Sequence, residues 1–299
     1  MKRLELFSNR LYQKAKEEPN RVFHSLHDKI CRLDVLEESC MLVRANYGSA
    51  GVDDQTIEDV ETYGTIRFLS EIQEELRNGT YTVPQVRRVL IPKDNGKQRP
   101  LAIPTVRDRV VKQAVKLVIE PIFEPGFLDF GYAYRPGRSA KDAFKEITIH
   151  LNYGCTNIVD IDIMGFFDHI DHDLLIDLVM ERVTDGFVLR LLRKWLRAGV
   201  MYNGTTEYPQ EGTPQGGSIY PLLANIYLNT IDRAWVAEKM NTPKYNAQTV
   251  RYADDIVILT DRDPNIALKK LGEAGISFHI TRMENLGLFD RDDDNWTAK

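Results

Sequence analysis

Residues Arg251–Leu259 read RYADDIVIL. Asp254 and Asp255 are adjacent, and runs rich in β-branched and aromatic residues lie on either side of them. Val250–Ala253 and Ile256–Leu259 are expected to pair as two arms of a hairpin, with Asp254–Asp255 at or near its tip. Two neighbouring carboxylates repel, and neither gains from a sheet interior. A lone Asp-Asp pair in a turn is commonly no more than a satisfied turn, so the meaning of this one depends on what stands beside it.

A second short run, IVDIDI (158–163), supplies the neighbour. Asp160 and Asp162 alternate with Val159, Ile161 and Ile163, so a strand of period two puts both carboxylates on one face and the aliphatic side chains on the other. Two such strands side by side would gather three or four acidic groups, and at least one would be pushed to a raised pKa. A bound divalent cation relieves that cost. All-oxygen donors select Mg²⁺, which takes one or two carboxylates plus substrate phosphates. A pair of ions ~3.5–4 Å apart activates an attacking hydroxyl and stabilises a leaving oxyanion in one displacement.

The complementary charge lies upstream. The chain of 299 residues has a net charge of −5 and a pI near 5.8, which taken alone argues against a nucleic-acid partner. Between Pro84 and Lys116, however, nine basic side chains face only two acidic ones over 33 residues. Distribution outweighs the total, and this stretch reads as a surface for a polyanion. Within it, VRRVLIPKDNGKQRPLAI (86–103) has the pattern of a β-hairpin around Lys-Asp-Asn-Gly. Lys93 and Arg99 flank its tip, where they could neutralise a triphosphate. Carboxylates for two metals together with a Lys/Arg hairpin describe a nucleotidyl transferase; a nuclease has no use for a triphosphate clamp.

Other classes are excluded or disfavoured. No run of 18 apolar residues is present, so no membrane span is expected, and MKRLELFSNR does not read as a secretory signal. Cys31, Cys40 and Cys155 show no CxxC spacing, which points away from a disulfide framework or zinc and toward an intracellular, cytoplasmic setting. His24/His27 and His169/His172 have HxxH spacing, but no further cluster completes a metal set.

Helices are expected over 20–46, 66–77 (stopping at Asn78-Gly79), 106–119 (closed by Pro121), 139–152, 172–183 (capped by Asp171), 187–198 and 221–240. Arg190, Arg193, Lys194 and Arg197 fall on one side of the 187–198 helix. Helices and strands mix without a βαβ rhythm, so the fold class is α+β.

The motifs and their order resemble a group II intron-encoded reverse transcriptase, or maturase. The stretches that carry the resemblance are VRRVLIPKDNGKQRPLAIPTVRDRVVKQAV, GYAYRPGRSAKDAF, VDIDIMGFFDHIDHDLL, EGTPQGGSIYPLLANIYL and RYADDIVI, preceded by FHSLHDKICRLDVLEESCMLVRANYGSAGVD; together they run from about residue 20 to 260. The resemblance implies a right-hand polymerase, with fingers at 1–125 and an antiparallel palm sheet flanked by helices at 126–299. It implies that Asp162, Asp254 and Asp255 are catalytic, that Asp162, Ile163, Asp254 and Asp255 hold two Mg²⁺ ions, and that Lys93, Arg99, Phe166, Gln215 and Gly216 meet the dNTP. Phe166 sits where reverse transcriptases place an aromatic steric gate against a ribose 2′-hydroxyl, with Phe167 as the second choice. Arg87, Arg88, Lys97, Lys112, Arg138 and Arg193 are the expected nucleic-acid contacts. The implied partners are intron RNA, an RNA template with a DNA primer, and dNTPs; a homodimer is the assembly to test.

The chain also departs from the family pattern. Met164 stands where a basic residue is usual, and Tyr220 where Ser precedes the proline of the PLLAN stretch. LGEAGISFHITRME (271–284) matches the later palm motifs poorly, and no thumb or nuclease pattern follows, so the chain reads as fingers and palm alone. The expected activity is RNA-directed DNA polymerisation in a bacterial cell, with aid to splicing and mobility of the intron. The competing readings are an RNA-binding splicing cofactor with an incidental polymerase site, and a related retron, diversity-generating or CRISPR-associated reverse transcriptase.

Overall fold

A computed structural model describes residues 2–92, 96, 98–163, 165–214, 216–273, 279–285, 289–292 and 295–298. Its strands, in chain order, are β1 (Val86–Pro92), β2 (Gln98–Ile103), β3 (Asn157–Asp162), β4 (Val200–Tyr202), β5 (Thr205–Glu207), β6 (Ala247–Tyr252), β7 (Asp255–Thr260), β8 (His279–Asn285), β9 (Phe289–Asp292) and β10 (Asn295–Ala298). The chain divides into two compact units, one of residues 1–126 with 167–223 and one of residues 127–166 with 224–299. Residues 167–223 thus belong with the N-terminal residues rather than with 127–166 and 224–299. The reason is pairing: β4 lies parallel to β1, with Val86 opposite Val200, and the sheet order is β2-β1-β4-β5.

The first unit is built around the helix Val106–Phe123. Val110, Val111, Ala114, Val115, Val118, Ile119 and Ile122 have no exposed surface, and Asp108, Lys112 and Gln113 are buried with them, so this helix is a core element. Thr105 caps it by accepting from the Asp108 amide. The helix runs two residues past Pro121 before a 3₁₀ turn at Glu124–Gly126. Proline near a helix C-terminus removes only one late backbone bond, so it does not close the helix where expected.

The segment expected as one helix over 20–46 is two, His27–Ile30 and Leu33–Ala45. Between them Arg32 is extended, and the Cys31 carbonyl accepts from Gln73 Nε2 at 2.6 Å instead of from the next turn. Leu26, Ile30 and Leu36 are buried as their spacing predicts, whereas Leu33 is exposed. Asp185 begins two helices at once. Its carboxylate accepts from the amides of Leu26 (2.7 Å) and His27 (3.0 Å), and from those of Phe187 and Val188 at the start of Gly186–Leu196. Burial works against its charge, but the four backbone donors outweigh it and hold its carboxyl below the usual range. Thr65–Asn78 ends on Gly79 in the left-handed region, as Asn78-Gly79 predicts.

The second unit is an antiparallel sheet of order β6-β7-β3-β8. Val159, Ile161, Ile256 and Ile258 pack with Trp235, Ala267 and Leu271, which come from the helices Tyr220–Ala237 and Pro264–Glu273. On the other face Ile158, Val250, Val257 and Leu259 meet Ala143, Ile147 and Leu151 of the helix Ala140–Asn152. Asp160, Asp162 and Asp255 share that second face by the period of two, but lie toward its other end. β9 and β10 form a separate antiparallel pair.

Candidate active site

In β3 the buried positions are Asn157, Val159 and Ile161, and the half-buried ones Ile158, Asp160 and Asp162, so alternation sorts aliphatics from carboxylates as the sequence implies. β7 pairs with β3 in a register that sets Asp162 directly opposite Asp255, with Ile161 opposite Ile256 and Asp160 opposite Val257. β6 and β7 form the expected hairpin, Tyr252 opposite Asp255, and Ala253–Asp254 is its two-residue turn. Asp254 is thus at the tip and Asp255 at the first rung. Ala253 has φ 58°, which a residue with a Cβ seldom adopts.

Partial desolvation raises the pKa of Asp255, and the charges of Asp254, Asp162 and Asp160 add to it in that order. This is the crowding predicted from the two sequence runs. Among the described residues, no three His, Cys, Asp or Glu side chains come together closely enough to enclose an ion. The donor chemistry nevertheless fits a hard cation: the groups at this end of the sheet are carboxylates, and their mutual repulsion is the cost that a cation removes. Ile163 has only its main-chain oxygen to offer, and that oxygen already accepts from the Phe166 amide at 3.2 Å.

Phe166 and Phe167 lie in the 3₁₀ turn Phe166–Asp168, which follows Gly165 (φ 58°). Phe166 is buried, its ring edge-on to Tyr227 with centroids 6.0 Å apart. Phe167 is half-buried, and its carbonyl accepts from Thr213 at 2.7 Å. Further bonds join the residues after this turn to Gly212: Gly212 donates to the Ile170 carbonyl (2.9 Å), and His172 Nε2 lies 2.6 Å from the Gly212 carbonyl. His172 is therefore a bonded interior histidine, while His169 pairs with Glu211 at 3.2 Å.

Gly216 adopts φ 130°, and a Cβ there would lie 2.2 Å from the Ala102 carbonyl oxygen of β2. Only glycine allows the loop to lie this close to the strand. Beside it a cleft of about 130 Å³ is lined by residues including Arg88, Ala102, Asp168, Glu211 and Thr213. Gln215, Lys93 and Lys97 lie outside the described residues, as does Met164.

Of the basic residues, Arg99 is exposed on β2 opposite Ile91. Arg87 pairs with Asp54, Arg88 with Glu207 at 2.7 Å, and Arg138 with Asp129 at 2.6 Å; the acidic partners are solvent-exposed, so these pairs are weak surface contacts. Arg190, Arg193, Lys194 and Arg197 are all exposed on or just after the helix Gly186–Leu196.

Lys112 is a correction. It has no exposed surface and pairs with Asp108 at 2.7 Å. Asp108 also accepts from Tyr81 Oη (2.6 Å) and Trp195 Nε1 (2.7 Å), and the Lys112 ammonium lies over the rings of Trp195 and Tyr220. Burial opposes its charge, but Asp108 overrides it and keeps the pKa above the usual lysine value. A core ion pair, rather than a nucleic-acid contact, accounts for Lys112; the i,i+4 acid was the signal in the sequence.

Carboxylates gathered at one end of two central strands and, in the other unit, a Gly-rich loop pressed on a basic hairpin are parts that a template-directed polymerase uses. The model of the family "Reverse transcriptase (RNA-dependent DNA polymerase)" matches residues 91–279, and the chain belongs to that family. Within it, the chain is similar to group II intron-encoded proteins. It is 34% identical over 244 residues to the group II intron-encoded protein LtrA of Lactococcus lactis subsp. cremoris, covering 81% of this chain and 40% of that protein. It is 40% identical over 169 residues to protein YkfC of Escherichia coli (strain K12), covering 55% of this chain and 44% of that one. The chain thus spans less than half the length of these relatives. A solved partial Cas6-RT-Cas1–Cas2 complex aligns with TM-score 0.50 and 23% identity over 84% of this chain and 42% of that one, a likeness of fold. No described helix is long and apolar enough to cross a membrane.

Proposed function

We propose that this chain is the nucleotide-adding part of a group II intron-type reverse transcriptase, extending a DNA primer on an RNA template with dNTPs. The observation that carries the reading is Asp162 opposite Asp255, with Asp254 in the adjoining turn, inside the span that matches the family. Asp162 and Asp254 hold Mg²⁺, with Asp255 in support and the Ile163 main-chain oxygen as a further donor. The bound ions would lower the cost of developing charge at the attacking and leaving oxygens.

The protein's own groups do the rest. Lys93 and Arg99 receive the triphosphate, Gln215 and the backbone at Gly216 meet the nucleotide or the template–primer, and Phe166 bars a 2′-hydroxyl. RNA is held by phosphate contacts from Arg87, Arg88, Lys97, Arg138 and Arg193. The exposed basic face at 190–197 supports such binding, and through it a part in splicing of the intron RNA.

The test is Asp162→Asn, assayed for primer extension and for RNA affinity. Extension is expected to vanish while RNA affinity stays within about threefold, since one carboxylate at the reacting centre adds little to phosphate contacts. Undiminished extension would remove the assignment.

A further inference from the structure

Arg251 is the third residue before Asp254, and it is an almost wholly buried arginine in a sheet. Its guanidinium makes a bidentate pair with Asp232 of the helix Tyr220–Ala237, Nε to Oδ1 at 2.9 Å and Nη2 to Oδ2 at 2.6 Å. Nη1 donates to Asn225 Oδ1 on the same helix and to the Ala253 carbonyl, each at 3.2 Å. Asn225 is held in turn by its bond to the Ala133 carbonyl at 2.8 Å. The Arg251 main chain is fixed as well, donating to Phe130 (2.8 Å) and accepting from Tyr132 (2.9 Å). Gly131 lies under the guanidinium, where a Cβ would come within 2.8 Å of Nη2.

The Ala253 carbonyl belongs to the peptide bond that carries Asp254. Ala253 is also the left-handed residue of the turn, a conformation that persists only when its surroundings impose it. One planar cation therefore ties the Asp254 peptide to two polar side chains of a rigid helix. We infer that Arg251, clamped by Asp232 and Asn225, is a positioning residue that sets the Ala253–Asp254 turn and so aims the Asp254 carboxylate at the metal. This rests on the polymerase reading for its consequence, but not for its geometry.

Removing one member would leave a buried charge and confuse positioning with stability. The primary variant is therefore the double Arg251→Met with Asp232→Leu, which removes both charges at similar volume. A second, independent variant is Gly131→Ala, which pushes the guanidinium aside and keeps every charge. Each is compared with wild type by hydrogen–deuterium exchange of the peptide spanning 250–256, by Mg²⁺ titration, and by primer extension.

The expected result is exchange at 252–255 faster by about tenfold or more, with the rest of the chain unchanged, since the turn loses its fastening. The Mg²⁺ concentration for half-maximal extension should rise, and kcat should fall by about ten- to a hundredfold with KM for dNTP within twofold, as for a group misplaced by roughly 1 Å. Should the double variant not fold, Gly131→Ala decides on the same readouts. A folded variant with unchanged exchange and wild-type Mg²⁺ dependence overturns the inference and leaves an ordinary buried ion pair. Absence of extension in wild type would count against the polymerase reading, and the exchange data would still decide the positioning.

Discussion

Asp162 and Asp255 are directly opposed residues on antiparallel neighbours β3 and β7. Like charges opposite one another destabilise a sheet. Asp255 binds protons more tightly folded than unfolded, so stability falls as pH rises from its unfolded pKa through the raised folded value.

Asp255→Asn should therefore be more stable than wild type in chelator at neutral pH. The gain is at most about 1 kcal/mol, because the side chain is solvent-exposed. Melting both proteins between pH 4 and 8 checks the sign: the advantage must grow with pH. Added Mg²⁺ should shrink it by stabilising wild type alone.

Lys112→Met would leave the Asp108 carboxylate buried without its cation, a loss of about 3–5 kcal/mol. Urea unfolding followed by Trp195 fluorescence measures it directly. RNA affinity of the folded fraction should stay as in wild type, and a selective drop in affinity would restore Lys112 as a contact.

Asp185→Ala removes the acceptor that caps two helices, at a cost of about 2–4 kcal/mol from two caps of up to ~2 each. Because the folded pKa is lowered, wild type holds this stability above the unfolded carboxylate pKa and loses it as pH falls through the folded one. The wild-type advantage in thermal melts should narrow in acid.

Phe166→Ala should raise rNTP use relative to dNTP in single-nucleotide incorporation. The ring is buried against Tyr227, so some stability is lost too, by about 3–5 kcal/mol for a large-to-small core change. If discrimination changes instead in Phe167→Ala, whose side chain is half-buried, the gate is the neighbour.

Much of this site was legible because period-two alternation is a strong local signal. IVDIDI declared which face carries acid, and RYADDIVIL declared a hairpin whose turn residues alone were uncertain. Asp171, Asn78-Gly79 and the basic face at 190–197 were equally readable, since caps and helix faces are local. What escaped was set by distant partners. The break at Cys31–Arg32 depends on Gln73, and the start of the preceding helix on Asp185, more than 150 residues away. Lys112 was read by its charge, whereas three aromatic residues remote in sequence enclose the pair it makes. Arg251 was passed over for the same reason, because Asp232 and Asn225 lie on another element.

The central claim is that the carboxylates on β3 and the β6–β7 turn add nucleotides. The most direct measurement is primer extension on an RNA template with Mg²⁺ and dNTPs, wild type beside Asp254→Asn. The account predicts extension by wild type and none by the variant at matched folding and RNA affinity. Equal extension by both would contradict it.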